Sequence, residues 1–331
     1  MVMSTKTYDA VAIGECLIDF IPSGAFSESG GPLLERNPGG APVNVMAALA
    51  RLGKKTGFIG KVGNDPFGRY LADVLAERGI DAGGLAFADD AHTTMAFVHL
   101  DANGERSFHF ARKPGADELL RAEEVDRERV GSAAVFHFGS VSLASEPARS
   151  ATLFAARLAR EAGALVSYDP NWRAPLWPSG EEEARRTILK GLELADVAKV
   201  SAEELVFLTG AEDAEEGTAR LLARFGQLRL VLATLGAEGT YYRKPGAAGY
   251  VASYPVKTVD TTGAGDGFLG AFLYQALERM PLDVLDWSDE ETREAVAFAN
   301  AAGALATTRK GAIHSLASLR EIEELQGLQV R

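Results

Sequence analysis

Short apolar runs and stretches of helical periodicity alternate along most of this chain. Residues 10–13 form the first apolar run, which stops at Gly14. Across 41–52 apolar residues recur at helical spacing, and Gly53 ends the run as a glycine just past a helix does. Residues 56–62 are apolar and bounded by glycines, and 66–78 predicts a helix with Pro66 in its first turn. Further short apolar runs at 134–138, 164–168, 197–200 and 228–235 are separated by helical stretches such as 147–161 and 181–194. Short strands that are apolar on both faces, alternating with helices, predict an α/β domain whose parallel sheet is covered on both sides.

Two stretches break the alternation. Residues 17–35 scatter apolar positions among Pro, Ser and Gly. Residues 93–110 read as a β-hairpin turning at 101–104, where Asn103-Gly104 tolerates the positive φ of a tight turn. Antiparallel strands near the start of an α/β chain form either a small lid over a site or decoration at a sheet edge. No internal repeat or low-complexity segment is present, and 316–331 reads as a polar, fraying helix. A single domain over 1–331 is expected, with segments of about 15–37 and 92–113 inserted in it as a small β-sheet.

The 34 basic and 46 acidic residues give a net charge of −12, which makes nucleic acid and anionic membranes poor partners. A strongly anionic substrate would need a local basic patch, whereas a neutral sugar would not. Cys16 is the single cysteine, so no intramolecular disulfide or cysteine zinc cluster can form. Its place after an apolar run predicts a small buried hydrophobe. His92, His99, His109, His137 and His314 lack zinc-binding spacing, and His109 and His137 alternate with phenylalanines as strand residues do. The first residues lack a signal peptide's apolar stretch, and no segment reaches the roughly 18 apolar residues of a membrane span. A cytoplasmic setting is the expectation.

The densest chemistry lies in Asp260-Thr-Thr-Gly263-Ala264-Gly265-Asp266-Gly267 and on to Gly270, where a strand-like run enters a glycine turn that opens a helix. Unpaired N–H groups at a helix start attract phosphate oxygens, and glycines let the backbone approach closely. A carboxylate beside an anion site repels the anion, so Asp266 suits a general base for an attacking hydroxyl; a plain helix cap is the other reading. The spacing Gly265, Gly267, Gly270 is also a literal G-x-G-x-x-G. A dinucleotide fold needs a strand with an acid about 20 residues on, but 271–285 stays helical and holds Pro281. No P-loop sequence occurs. Upstream, Asn37-Pro-Gly39-Gly40-Ala-Pro-Val-Asn44 opens the helix at Ala41 with paired glycines and an amide suited to vicinal sugar hydroxyls.

Gly39-Gly40-Ala-Pro-Val-Asn44 resembles the N-terminal signature of the ribokinase-like (PfkB) sugar kinases, and Asp260-Thr-Thr-Gly-Ala-Gly-Asp266 resembles their C-terminal one. The resemblance covers about 8–315. It implies a doubly wound α/β fold, with a mostly parallel sheet, helices on both faces and a small β-lid that often pairs with a second subunit's lid. It places the catalytic base on Asp266 and an anion hole on the amides of Gly263, Ala264 and Gly265. Asp19 would grip sugar hydroxyls with Gly39, Gly40 and Asn44, and Arg112 would reach the substrate from the lid. Asp169-Pro-Asn171-Trp-Arg173 resembles the family's Asp-x-Asn-x-Arg, with Asn171 toward substrate and Arg173 toward the transferred phosphate.

On the nucleotide side the resemblance implies Lys199, Ser201 and Glu204, with Glu204 organising Mg²⁺ through water. Ser201 stands where the family usually has Asn. Thr234, Gly236 and Gly239 resemble the nucleotide loop, and Asn300 and Gly303 the wall beside adenine. Asp260, Thr262, Ala306, Arg309, Gly311 and Ser315 match positions that hold a monovalent cation, K⁺ being expected. Within the family, Gly-Gly-Ala-Pro-x-Asn, Gly-Glu-Cys-Leu-Ile-Asp and Lys199-Val-Ser-x-Glu-Glu-Leu are similar to fructokinases. The expected activity is ATP-dependent phosphorylation of fructose at its 6-hydroxyl by a homodimer. The alternatives are a 2-keto-3-deoxygluconate kinase, an aminoimidazole riboside kinase or a catalytically silent sugar or nucleotide sensor.

Overall fold

The structure is a computed structural model that describes residues 6–100, 106–279 and 286–327. Its strands are β1 (Tyr8–Ile13), β2 (Leu17–Phe26), β3 (Pro32–Gly39), β4 (Thr56–Gly63), β5 (Ile80–Ala88), β6 (Met95–Leu100), β7 (Arg106–Ala111), β8 (Ala133–Gly139), β9 (Leu165–Asp169), β10 (Val197–Ser201), β11 (Leu230–Thr234), β12 (Gly239–Lys244) and β13 (Ala247–Ala252). Its α-helices are α1 (Ala41–Arg51), α2 (Pro66–Glu77), α3 (Arg127–Gly131), α4 (Ala148–Glu161), α5 (Glu181–Leu192), α6 (Ala202–Thr209), α7 (Ala214–Arg224), α8 (Ala264–Glu278), α9 (Asp289–Ala306) and α10 (Leu319–Leu325).

Among the described residues the main sheet runs β13-β12-β11-β10-β9-β8-β1-β4-β5. Every pairing from β11 to β5 is parallel, while β12 and β13 add an antiparallel edge. The chain winds from β1 to β4 and β5, then returns to the other side of β1 with β8. It thus reverses direction beside β1, and sheets of this kind expose ligands at strand C-termini near such a reversal. Alternate residues of the central strands feed two cores. Ala10, Ala12, Val135 and Leu165 pack with α1, α8 and α9 on one face, while Val11, Ile13, Phe136 and Val166 pack with α4 and α5 on the other. That is the doubly wound arrangement implied by the resemblance.

A second sheet, β3-β2-β6-β7, gathers the two stretches that interrupt the alternation. β2 pairs antiparallel with β3 and parallel with β6, and β6 pairs antiparallel with β7. The expected turn at 101–104 and Pro281 lie outside the described residues. The expected terminal helix is shorter than its pattern suggests: α10 spans Leu319–Leu325, and a single 3-10 turn, Ile313–Ser315, precedes it. The β12–β13 hairpin and α9 escape the pattern of short apolar runs, because β13 is nowhere fully buried and α9 opens with Asp289, Glu290 and Glu291.

The helices that open the two signatures pack directly on each other. α1 is buried along nearly its whole length, and so is α8. They approach closely where Gly270 faces Ala48: a Cβ at Gly270 would stand 2.4 Å from Ala48 Cβ and 3.1 Å from the Val45 carbonyl oxygen. Replacing Gly270 by Ala adds about 1 kcal/mol of helix propensity but overpacks the contact at about 1–3 kcal/mol. We therefore expect Gly270→Ala to lower the urea midpoint of unfolding; an unchanged or higher midpoint would show that the helix pair yields without strain.

Candidate functional site

The first turn of α8 forms the floor of the site. Gly263 caps it at φ 77°, and a Cβ there would lie 2.8 Å from Ala312 Cα, so the left-handed turn needs glycine. A Cβ on Gly265 would stand 2.9 Å from Lys199 Nζ, so the ammonium group rests against bare backbone. Of the three amides expected to hold an anion, that of Ala264 donates to the Thr261 carbonyl oxygen at 3.2 Å. The G-x-G-x-x-G residues Gly265, Gly267 and Gly270 all lie inside α8, not in the strand-to-helix turn that a dinucleotide site requires.

Asp266 is buried in that first turn. Its carboxylate receives Asn44 Nδ2 at 2.7 Å on one oxygen and Asn171 Nδ2 at 3.5 Å on the other. Gly263, not Asp266, is the capping residue, so the simple cap reading fails. Burial pushes the Asp266 carboxyl up to about 6; Asp169 adds to the rise, while the Asn44 bond, Lys199 and Arg173 oppose it. Asn44 in turn keeps its Oδ1 buried and without a protein partner.

Asp19 faces this group from β2, where it pairs with Asn37 of β3. Burial likewise raises its carboxyl to about 6, with Arg173 opposing and Asp266 adding. A Cβ on Gly39 would overlap Asp19 Oδ2 at 2.2 Å, and one on Gly40, at φ 119°, would meet the Glu15 carbonyl oxygen at 2.3 Å. The paired glycines thus let β3 turn into α1 directly against the residues that precede and carry Asp19.

The loop after β9 is held at several points. Asn171 sits at φ 46°, a conformation that asparagine tolerates, and its N–H donates to Asp169 Oδ1 at 3.2 Å. Asp169 Oδ2 pairs with buried Lys199 at 2.9 Å. Burial works against the Lys199 charge, but Asp169 and then Glu204 outweigh it and raise its pKa. Glu204 accepts the Trp172 N–H at 2.7 Å and the Ser201 N–H at 2.8 Å. Ser201 completes a capping box by accepting the Glu204 N–H at 3.1 Å, the job its place before α6 demands. The Trp172 ring stacks on Phe207 with centroids 4.0 Å apart.

Two cavities meet here. One, of about 690 Å³, is lined by Asp19, Gly40, Asn44, Asn171, Arg173 and Asp266, among others. The other, of about 450 Å³, is lined by Gly239, Thr240, Tyr254, Val256, Asn300 and Gly303, among others. Both touch Thr234, Gly236, Thr261 and Gly265, so they form one groove with the α8 turn at its middle. Asn300 accepts Thr240 Oγ1 and donates to the Val251 and Ala252 carbonyl oxygens, which fixes it as wall.

Behind the turn, Asp260 Oδ1 accepts the N–H and hydroxyl of Thr262, and Oδ2 accepts the Gly311 N–H at 3.1 Å. The Val259 and Asp260 N–H groups both donate to the Thr307 carbonyl oxygen. These bonds fasten the Asp260–Thr262 segment to Thr307 and Gly311, in the stretch that holds the expected Ala306, Arg309 and Ser315. The Arg309 side chain points away to pair with Glu321.

Two expected substrate residues are placed differently: Gly39 lines neither cavity and serves instead to admit the Asp19 carboxylate, and Arg112 is turned away. The side chain of Arg112 is 4% exposed, bonds Asp117 Oδ2 at 2.6 Å and lines neither cavity. Phe110, two residues earlier, lines the larger one. Glu15, absent from the expected site, lines it as well; its sequence signal is an acid one glycine beyond an apolar strand, inside the Gly-Glu-Cys-Leu-Ile-Asp segment.

The sequence matches the pfkB family carbohydrate kinase pattern over residues 8–319. The chain belongs to the pfkB carbohydrate kinases. Fructokinase-1 of Zea mays is 48% identical over 316 residues, 95% of this chain and 96% of that protein. Among solved structures, a fructokinase from Xylella fastidiosa with bound ATP superposes with a TM-score of 0.89 at 36% identity, covering 97% of this chain and 98% of that one. A double-mutant fructokinase from Vibrio cholerae O395, solved with fructose, ADP and a potassium ion, gives 0.85 at 37% identity over 97% and 99%.

The buried carboxyl of this pfkB kinase has a stability signature. Because the native Asp266 pKa lies above its unfolded value, the buried charge weakens folding above about pH 6, and the penalty is relieved as pH falls toward 4. Asp266→Asn should therefore stabilise the ligand-free protein by about 1–3 kcal/mol at pH 8 and by little near pH 4. Denaturant melts at the two pH values decide this; equal effects at both would mean that the carboxylate is not penalised in the fold.

Proposed function

We propose that the chain is an ATP-dependent fructokinase that transfers the γ-phosphoryl group to the 6-hydroxyl of fructose. The observation that carries the reading is Asp266, buried at the junction of the two cavities and held by Asn44. Fructose occupies the larger cavity, clamped by Asp19, Gly40 and Asn44, whose free Oδ1 accepts a hydroxyl. Asp266 takes the proton of the reacting hydroxyl, the oxygen attacks the γ-phosphorus in line, and the bond to the β-phosphate oxygen breaks to release ADP. The amides of Gly263 and Gly265 and the Lys199 ammonium stabilise charge on the transferring group, with Arg173 and Asn171 at its flank, while the Ala264 amide holds the turn through Thr261. ATP lies in the smaller cavity against Thr234, Gly236, Gly239, Asn300 and Gly303.

Each Glu204 oxygen accepts one backbone N–H and so keeps acceptor capacity. It suits an Mg²⁺ ion that is held mainly by nucleotide phosphates and reached through water; the ion supplies charge neutralisation. Asp260, Thr262 and the carbonyls of Ala306, Arg309, Gly311 and Ser315 form an oxygen-rich shelf under the glycine turn that suits K⁺.

A neutral sugar is favoured over a sugar acid by the charges around the larger cavity. Glu15, Asp19 and Asp266 line its sugar end, where Arg173 is offset by Asp19 and Asp266, while Lys199 is paired with Asp169 and Arg112 is tied to Asp117. A substrate carboxylate would therefore meet acids. The test is ADP release from Mg-ATP with fructose, ribose, 2-keto-3-deoxygluconate, aminoimidazole riboside and glucose, with and without K⁺. Fructose should give the highest kcat/KM, and Asp266→Asn should lower kcat at least roughly a hundredfold while still binding ATP. Preference for another sugar would discard fructose, silence on all would support a sensor, and near-normal turnover in the variant would remove Asp266 from the chemistry.

We treat the chain as a single kinase domain with a lid made of about 15–37 and 92–113, working as a cytoplasmic homodimer. A lone buried cysteine suits a reducing compartment, and among the described residues no helix is long and apolar enough to cross a membrane. Phe26, Leu33 and Leu34 leave the second sheet with an exposed apolar surface, Phe26 being 69% exposed. Sedimentation should show a dimer that Phe26→Asp with Leu34→Asp converts to monomer; a monomeric wild type would end the dimer proposal.

A further inference from the structure

Glu15 plays no part in the chemistry above, yet it occupies the point where the main sheet becomes the second sheet. It lies between β1 and β2, is 4% exposed and lines the larger cavity. Its Oε1 accepts the N–H of Ala41, the first residue of α1, at 3.0 Å. Its Oε2 is buried and has no protein partner. An isolated buried acid is costly, so a residue of this kind is better explained by what it holds than by packing. Burial raises its carboxyl to about 7; its own N–H, the Ala41 N–H and Arg112 oppose the rise, and Asp117 adds to it.

The chain passes between the two sheets four times: at Glu15, at Gly39–Gly40, at Thr93–Thr94 and at Arg112. Glu15 ties the first passage to the second through Ala41. Asp117 ties the third to the fourth, accepting the Thr94 hydroxyl at 2.5 Å and Arg112 Nη2 at 2.6 Å. The Ile18 N–H, donating to the Thr94 carbonyl oxygen at 3.1 Å, joins the two pairs. Asp19 stands four residues beyond Glu15 on β2, and Asn44 three residues beyond Ala41 on α1. A single carboxylate therefore lies between the strand carrying one side of the clamp and the helix carrying the other.

We propose that Glu15 is a positioning residue for the sugar: by holding the N-terminus of α1 against the base of β2, it sets the spacing between Asp19 and Asn44. The assignment rests on the reading of the larger cavity as the sugar site. A misplacement of about 1 Å in such a clamp is enough to weaken it severely. Arg112 then serves substrate binding indirectly, as the partner of Asp117 on the opposite pair of passages.

The test is calorimetric binding of fructose, and separately of ATP, to the full chain and to Glu15→Ala, Glu15→Gln and Ala41→Pro. Glu15→Ala removes the acceptor. Ala41→Pro removes the donor at a helix position where proline is well tolerated, so it stands in if the alanine variant fails to fold. Both should weaken fructose by about tenfold or more while leaving ATP affinity as in the wild type, and Glu15→Gln, which keeps the acceptor, should restore most of the loss. Wild-type fructose affinity in both disrupting variants, or equal weakening of both ligands, overturns the assignment and leaves the fructokinase reading intact. Failure of the wild type to bind fructose while it binds ATP overturns that reading and the assignment with it.

Discussion

Putting a carboxylate out of water beside a site for anions is the constraint around which this molecule is arranged. Asp266 is buried in the first turn of α8, where Asp169 opposes its ionisation and where it opposes that of Asp19 in turn. What keeps it ionisable near neutral pH is a set of donors and cations that come from distant parts of the chain. Asn44 arrives on α1, Asn171 on the loop after β9, and Lys199 on β10. Each depends on a further contact: α1 on the close approach of Ala48 to Gly270, Asn171 on the anchoring of Trp172 by Glu204 and Phe207, and Lys199 on Asp169. A carboxyl with a pKa near 6 ionises readily yet retains enough basicity to take a proton as the hydroxyl attacks. The cost of that buried charge is offset by the apolar surface that the two helices bearing the central hydrogen bond bury along most of their length.

Much of this was legible in the chain. Alternating apolar runs and helical periods are local signals, and they suffice for the parallel sheet and its two helical layers. The Gly39–Asn44 and Asp260–Asp266 segments were equally clear, because a left-handed turn at Gly263 and the steric demands at Gly39 and Gly40 leave only glycine workable. Other features depend on partners far away in sequence. Arg112 follows an exposed-looking strand, and only the fold reveals Asp117 turned back onto it with Thr94 on the other oxygen. Glu15 is one acid after an apolar run, and its significance appears only when Ala41 is brought within 3.0 Å. The β13 edge was illegible because a strand with no buried residue lacks the continuous apolar signature of the central ones.

Ser201 illustrates how a departure from a family motif can be read physically. Where the family usually carries an amide, this chain has a hydroxyl, and the structure uses it to cap α6 reciprocally with Glu204. The glutamate is thereby oriented so that its other oxygen holds the Trp172 N–H. The substitution preserves the placement of Glu204 through backbone bonds, with no need for a longer side chain.

The Lys199 ammonium pressed against Gly265 also bears on how fast an anionic nucleotide can arrive. A net charge of −12 and acids along the larger cavity disfavour the approach of such a ligand from a distance, and the cation it would meet is buried and already paired with Asp169. Added salt shortens the reach of the repulsion, to about 8 Å at physiological ionic strength, and screens the buried cation much less. An anionic ligand approaching such a surface is expected to gain from moderate salt, the reverse of the behaviour of enzymes that draw their anionic substrates in through a basic surface.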